Sequence, residues 1–267
     1  MYGDGMSAPV ISRPVLGFFR RIVRGYFRRH FDAVRVSGAE RVAEAAGGSG
    51  PLIIYANHSS WWDPMVLILL AEELMPKREH YAPMDADALE RYGILKRVGI
   101  FPVETKTARG AVQFLRKGEG VLKRGGVLWV TPQGRFADAR ERPLEFKPGL
   151  AALAARVGPC TVLPLAIEYP FWDERLPECL VLFGKPVLVQ GGESVEGVQE
   201  RLVVALEGAM DALREMALRR DGKGFRTVER GTVGTGGFYA VGQRAKAMVL
   251  GRRYRAEHTV EEGGEDA

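Results

Sequence analysis

Cysteine is nearly absent: the 267 residues hold only Cys160 and Cys179, with no CxxC spacing. Neither a disulfide scaffold nor a zinc site is therefore expected, and a reducing, cytoplasmic setting fits. No apolar run reaches the roughly 18 residues that span a bilayer. No short apolar segment leads to a small-residue cleavage site either, so neither a membrane span nor a secretory signal is expected. There is no Walker loop and no GxGxxG to cradle a nucleotide phosphate, and no arginine-rich stretch has the context of a nucleic-acid reader. Neither charge sign dominates. With 38 Lys and Arg against 33 Asp and Glu the net charge is +5, which suits an anionic partner without specifying one.

What is present is apolar and periodic. Hydrophobic residues make up 46% of the chain, enough for the core of one large domain. Short apolar runs at 34–36, 52–56, 127–131, 162–168 and 180–183 read as strands. They alternate with helical periodicity over 64–74, 87–97, 108–122, 149–157 and 195–219, the signature of an α/β fold. Ahead of them 14–31 reads as a helix, with Val15, Leu16, Phe18, Phe19, Ile22, Val23, Tyr26 and Phe27 gathered on one side. Arg20, Arg21, Arg24 and Arg28 lie roughly opposite Phe19, Ile22 and Tyr26, while Arg29 falls near the apolar edge. Aromatic and basic faces on one helix suit an anionic membrane surface. The same pattern also describes a helix that docks its apolar face on the domain and leaves its arginines in water.

The expected organisation is an amphipathic basic segment at 1–33, a domain at 34–220 and an extension at 221–267. Within the extension 224–242 is glycine-rich, 243–254 reads as a second basic helix, and 261–266 is an acidic, disordered end.

One segment stands out for chemistry: Asn57-His58-Ser59-Ser60-Trp61-Trp62-Asp63, directly after the apolar run 52–56. A carboxylate beside a histidine fixes its tautomer and stabilises the imidazolium, so the pair can take a proton from a hydroxyl and make it a nucleophile. Five residues apart on one regular helix, two side chains diverge by about 140°. His58 and Asp63 can therefore meet only across a strand-to-helix junction. Asp63-Pro64 marks such a junction, because Asp is a favoured N-cap and Pro a favoured first helical residue. On spacing alone the simpler reading is that Asp63 caps a helix and His58 is a loop residue. Trp61 and Trp62 read as surface-packing side chains, and His30, His80 and His258, without ligand-spaced partners, as ordinary surface or helix residues.

Four blocks in order make the chain resemble the glycerolipid acyltransferase family. Residues 57–63 match its NHxSxxD block. Gly99-Ile100-Phe101-Pro102-Val103-Glu104 is similar to the second block, and Val130-Thr131-Pro132-Gln133-Gly134-Arg135 to the third, FPEGTRS. Phe146-Lys147-Pro148-Gly149 is similar to the FKxG that trails it, and Leu163-Pro164-Leu165-Ala166-Ile167 to the VPVAI strand. The resemblance implies a glycerol-3-phosphate acyltransferase-like mixed sheet flanked by helices, here with an N-terminal membrane-surface helix. It implies a peripheral enzyme of phospholipid biosynthesis at the cytoplasmic face of a membrane. The enzyme would move a fatty acyl group from acyl-CoA or acyl carrier protein to the hydroxyl of a lysophospholipid or glycerophosphate-like acceptor, with no metal or bound cofactor. His58 is then the general base and Asp63 its partner. Asn57, Ser60, Glu104, Lys106, Pro132, Gln133, Gly134, Arg135 and Lys147 are then the substrate-binding residues.

The departures fall on the acceptor side. Thr105, followed by Lys106, replaces the arginine of the second block, Gln133 replaces a glutamate, and Arg135-Phe136 replaces threonine-arginine. A lyso-aminolipid or another hydroxylated lipid is an alternative acceptor. Alternative activities are an acyl-thioester hydrolase of the same fold and a non-catalytic membrane-binding member.

Overall fold

The computed structural model describes residues 9–48 and 50–231. The stretch 232–242, the helix expected at 243–254, His258 and the acidic end at 261–266 lie outside them. Strand β2, Leu52–Ala56, is buried along its whole length. A run of bulky apolar residues without polar alternation belongs in a sheet covered on both faces. Its neighbours are β5, Val127–Val130, and β6, Cys160–Glu168, both parallel to it. On the β5 side, β3, His80–Asp85, and β4, Ile100–Val103, continue the parallel order. On the other side β6 pairs antiparallel with β7, Cys179–Phe183, which runs parallel to β1, Ala33–Ser37. Strand β9, Arg226–Arg230, covers β1 antiparallel, and short β8, Val187–Val189, lies beside the start of β6. The order across the sheet is β4-β3-β5-β2-β6-β7-β1-β9.

Alternate residues of β2 divide between two cores, as the period of a strand requires. Ile53 and Tyr55 pack in the core that includes Val121 of α5 (Ala108–Lys123), Leu153 of α6 (Gly149–Val157) and Leu202 of α7 (Val195–Leu218). Leu52, Ile54 and Ala56 belong with Phe27 of α1 (Arg13–His30), Val42 of α2 (Ala39–Gly47) and Leu69 of α3 (Asp63–Leu74). The sheet is thus the middle of three layers.

Two expectations change. The helix read over 87–97 breaks at Tyr92 into α4, Ala86–Arg91, and a 3-10 turn, Gly93–Val98. Strands β3 and β4 gave no signal because β3 is mostly half-buried, without a continuous apolar run, and β4 is only four residues long; each also carries a proline, Pro83 and Pro102. Proline withholds a backbone donor and is at home near a sheet edge, where β4 lies.

Helix α1 docks on the domain through part of its apolar side. Val23 and Phe27 are buried, and Arg24 is drawn in with them to pair with Glu72 and Glu73 of α3 and with Glu229 of β9. Arg28 also reaches Glu229, at 2.8 Å. Three carboxylates thus recruit two of the arginines, Arg24 and Arg28, and the guanidinium of Arg24 holds its proton still more tightly than usual. Phe18, Ile22 and Tyr26 consequently face outward, on an arc that also carries exposed Arg21 and Arg29. No helix among the described residues is long and apolar enough to cross a membrane.

Candidate active site

Because β4, β3, β5, β2 and β6 all run parallel, their carboxyl ends lie along one side of the sheet, the side on which open α/β folds hold their ligands. Residues 57–63 follow β2, 104–106 follow β4, 131–136 follow β5, and Tyr169 follows β6. Topology gathers segments that are more than a hundred positions apart in sequence.

The His58–Asp63 pair is made. His58 Nδ1 lies 2.8 Å from Asp63 Oδ2, and the Asp63 side chain is fully buried while the imidazole keeps partial access to solvent. Asp63 does not cap its own helix. It is the first residue of α3 rather than the residue before it, and its carboxylate turns back over the preceding loop to accept the Ser60 N–H at 3.0 Å. The other oxygen, Oδ1, accepts the phenol of Tyr169 at 2.6 Å. An ionised carboxylate only accepts, so Nδ1 carries the imidazole hydrogen and Nε2 keeps a lone pair that can take a proton.

The loop bearing His58 is held from below by buried polar groups. Asn57 accepts the Ile167 N–H at 2.8 Å and donates to the Ile167 carbonyl at 3.0 Å, clamping the end of β2 to the end of β6. Gln133 is buried, and its Oε1 accepts the His58 N–H at 3.0 Å. The His58 carbonyl accepts from the Ala137 N–H at 2.8 Å. Asn57, expected to touch substrate, spends both polar side-chain atoms on the backbone of Ile167, and Gln133, likewise expected to touch substrate, gives its Oε1 to the His58 N–H. Gln133 can stand for glutamate here because a backbone N–H needs an acceptor and not a charge. The Ser60 hydroxyl likewise accepts the Trp62 N–H, at 3.2 Å. Above the loop, the Phe136 ring lies 4.4 Å from the imidazole, centroid to centroid.

The sequence model of the Acyltransferase family matches residues 33–168, half of the chain. The chain belongs to the acyltransferase family. A comparison with curated proteins finds no match.

In this acyltransferase the second and third blocks form a second, more exposed cluster. Glu104 accepts from Thr107 Oγ1 at 3.1 Å and Gln113 Nε2 at 3.2 Å, at the start of α5. Thr105 donates to Asp85 Oδ2 at 2.6 Å, and this bond, more than nearby Lys106, holds the Asp85 carboxyl below its usual range. The two nitrogens of the Arg135 fork are both taken by Glu141. Pro132 is buried, with its carbonyl accepting the Lys147 N–H at 2.9 Å. Gly134 turns the chain at φ 63°, a left-handed conformation that favours glycine. The Lys147 side chain lies over this turn, and its ammonium sits 3.4 Å from the Thr105 carbonyl, between the second and third blocks.

Three residues behave unlike their reading from the sequence. Tyr169 had no local signal, since its partner is 106 positions away. His80 is not a plain surface residue: in β3 its Nδ1 accepts from Trp129 at 3.1 Å and its Nε2 donates to the Met75 carbonyl at 2.9 Å, and burial lowers it to about 4. Trp62 packs inward against Phe31, at 5.0 Å, while Trp61 is 65% exposed. Both cysteines are buried, and burial pushes their thiols up, Cys160 to about 11.

Proposed function

We propose that this acyltransferase moves a fatty acyl group from acyl-CoA or acyl carrier protein to the hydroxyl of a lysophospholipid, glycerophosphate-like or related lyso-lipid acceptor. The observation that carries the reading is the imidazole with Nδ1 bonded to a buried carboxylate and Nε2 left to act as base. Nε2 takes the acceptor's hydroxyl proton as its oxygen attacks the thioester carbonyl carbon. Asp63 stabilises the imidazolium that forms. Collapse of the tetrahedral oxyanion breaks the C–S bond, and the imidazolium returns the proton to the departing thiolate. No acyl-enzyme is needed, because a thioester is already activated.

The acceptor is held by the outer cluster. Lys147 is the cation best placed for an anionic head group, since the guanidinium of Arg135 is engaged by Glu141. Ammonium gives a point charge rather than a fork, so anion recognition there is tolerant of head-group shape.

The reaction takes place at the cytoplasmic face of a membrane, with α1 lying on an anionic surface. The outward arc of Phe18, Ile22 and Tyr26, with Arg21 and Arg29 beside it, has the composition of an interfacial helix. Tyr26 meets Trp62 edge-on at 6.3 Å, and Trp62 meets Trp61 edge-on at 5.7 Å, so this arc continues to the loop that bears His58.

Incubation of the protein with labelled acyl thioester and a panel of lysolipids on anionic vesicles tests the reading. An acylated lipid product that disappears in His58→Ala supports it. Labelled free fatty acid, independent of every acceptor, would make the protein a thioester hydrolase instead.

A further inference from the structure

We propose that Tyr169 is a positioning residue for the proton-handling pair, its phenol fixing the second oxygen of Asp63 and so setting how strongly the first holds the His58 imidazole. The proposal rests on the reading of His58 and Asp63 given above. Asp63 receives three donors: His58 Nδ1 and Ser60 N on Oδ2, at 2.8 and 3.0 Å, and Tyr169 on Oδ1, at 2.6 Å. The first two belong to the loop that leads directly into Asp63, within five residues of it. Tyr169 comes from the far end of β6 and ties the carboxylate to the sheet. Bonded through one oxygen alone, a carboxylate can swing about its terminal torsion, which is broad and soft.

The phenol is itself placed by structure. Ile167, two residues earlier, is clamped on both its backbone groups by Asn57. The Tyr169 ring packs 5.7 Å from Phe31, which in turn meets Trp62. Burial keeps the phenol protonated far above neutrality, so it remains a donor throughout the working range. The titratable groups that face Asp63 are His58 from its own loop, Tyr169 from β6 and the buried Cys179 thiol from β7, which burial keeps neutral. No lysine or arginine among the described residues forms an ion pair with Asp63. Its charge is therefore spread by hydrogen bonds alone. Withdrawing the phenol concentrates that charge on Oδ2, strengthens its hold on the imidazolium and moves proton loss from His58 to higher pH.

The test is the titration of the His58 ring nitrogens by NMR in the full chain, with the signal assigned by its loss in His58→Gln. Tyr169→Phe should raise the midpoint by about 0.5 pH unit or more. In the acyl-transfer assay it should lower kcat about ten-fold with acceptor and thioester KM unchanged, as expected when only the geometry of proton transfer is lost. Phe31→Leu, which loosens the packing on Tyr169 without removing its hydroxyl, should lower the melting temperature and leave the midpoint in place. An unmoved midpoint in Tyr169→Phe, or an equal shift in Phe31→Leu, would overturn the proposal. Should Tyr169→Phe fail to fold, uniform replacement of tyrosine by 3-fluorotyrosine, a stronger donor, must move the midpoint downward, and no movement overturns the proposal equally. The titration needs no substrate. A protein that shifts as expected yet transfers no acyl group would refute the function and leave the positioning role intact.

Discussion

Around His58, the side chains of Asp63, Asn57 and Gln133 are buried and bonded to fixed partners. Along 104–106 and 134–147, on the same side of the sheet, Thr105, Lys106, Arg135 and Lys147 stand at the surface, and their contacts are mostly with one another's neighbours. A buried hydrogen-bonded group costs free energy if any partner is lost, so the region around His58 tolerates little change. Exposed ion pairs contribute little, and the outer cluster can exchange residues without loss of fold. The departures from the family pattern at Thr105, Gln133, Arg135 and Phe136 fit this division. The one that is buried, Gln133, keeps the acceptor atom that its position requires.

The comparison breaks first at its strongest point. His58→Ala should lower acyl transfer by roughly 10²–10⁴-fold, the worth of a positioned base, in a protein that still folds, with a melting temperature lowered only by the loss of one donor to buried Asp63. Activity retained within ten-fold would remove the distinction between the halves.

Next in size is the effect of acid on the wing that carries β3. His80 titrates near 4 when folded and at its ordinary 6.5 when unfolded. Between those values the unfolded chain binds a proton that the native protein does not. Stability is therefore full above pH 6.5 and falls as the pH drops toward 4, by roughly 2 kcal/mol after allowing for partial exposure. Urea midpoints across this range, steeper for wild type than for His80→Asn, check it.

Asn57→Ala should cost about 2 kcal/mol, because it leaves both backbone groups of buried Ile167 without partners. Denaturant unfolding reads this directly. On the other half, Phe136→Arg restores a cation beside the imidazole and should raise kcat/KM for a phosphate-bearing acceptor over a neutral one by about ten-fold, worth about 1.4 kcal/mol. Arg135→Ala should change stability by less than about 1 kcal/mol, since its pair with Glu141 is exposed.

Much of this was legible in advance. Strand β2, helix α6 and the strand-to-helix junction at residues 57–63 follow from local apolar runs and from Asp63-Pro64, features that act over a few residues. By spacing alone Asp63 reads as a plain helix cap just as well, because a capping carboxylate and a histidine-holding carboxylate occupy the same place in the chain. What separates them is where the carboxylate turns, and Ser60, His58 and Tyr169 decide that together. The faces of α1 were likewise visible as a pattern, but which face meets the domain depends on Glu72 and Glu73 of α3 and Glu229 of β9, distant in sequence and in direct contact with it.

By itself the sequence determined the α/β class, the apolar central strands and the pairing of a base with an acid within one short segment, because hydrophobic period and junction chemistry are local. Only the tertiary structure decided that Asn57 and Gln133 serve the backbone, that Arg135 is spoken for by Glu141, and that Tyr169 completes the grip on Asp63. Except for Arg135 and Glu141, which belong to one segment, those are contacts between chain segments that parallel strands bring to one side of the sheet, and no local pattern encodes which side chains will meet there.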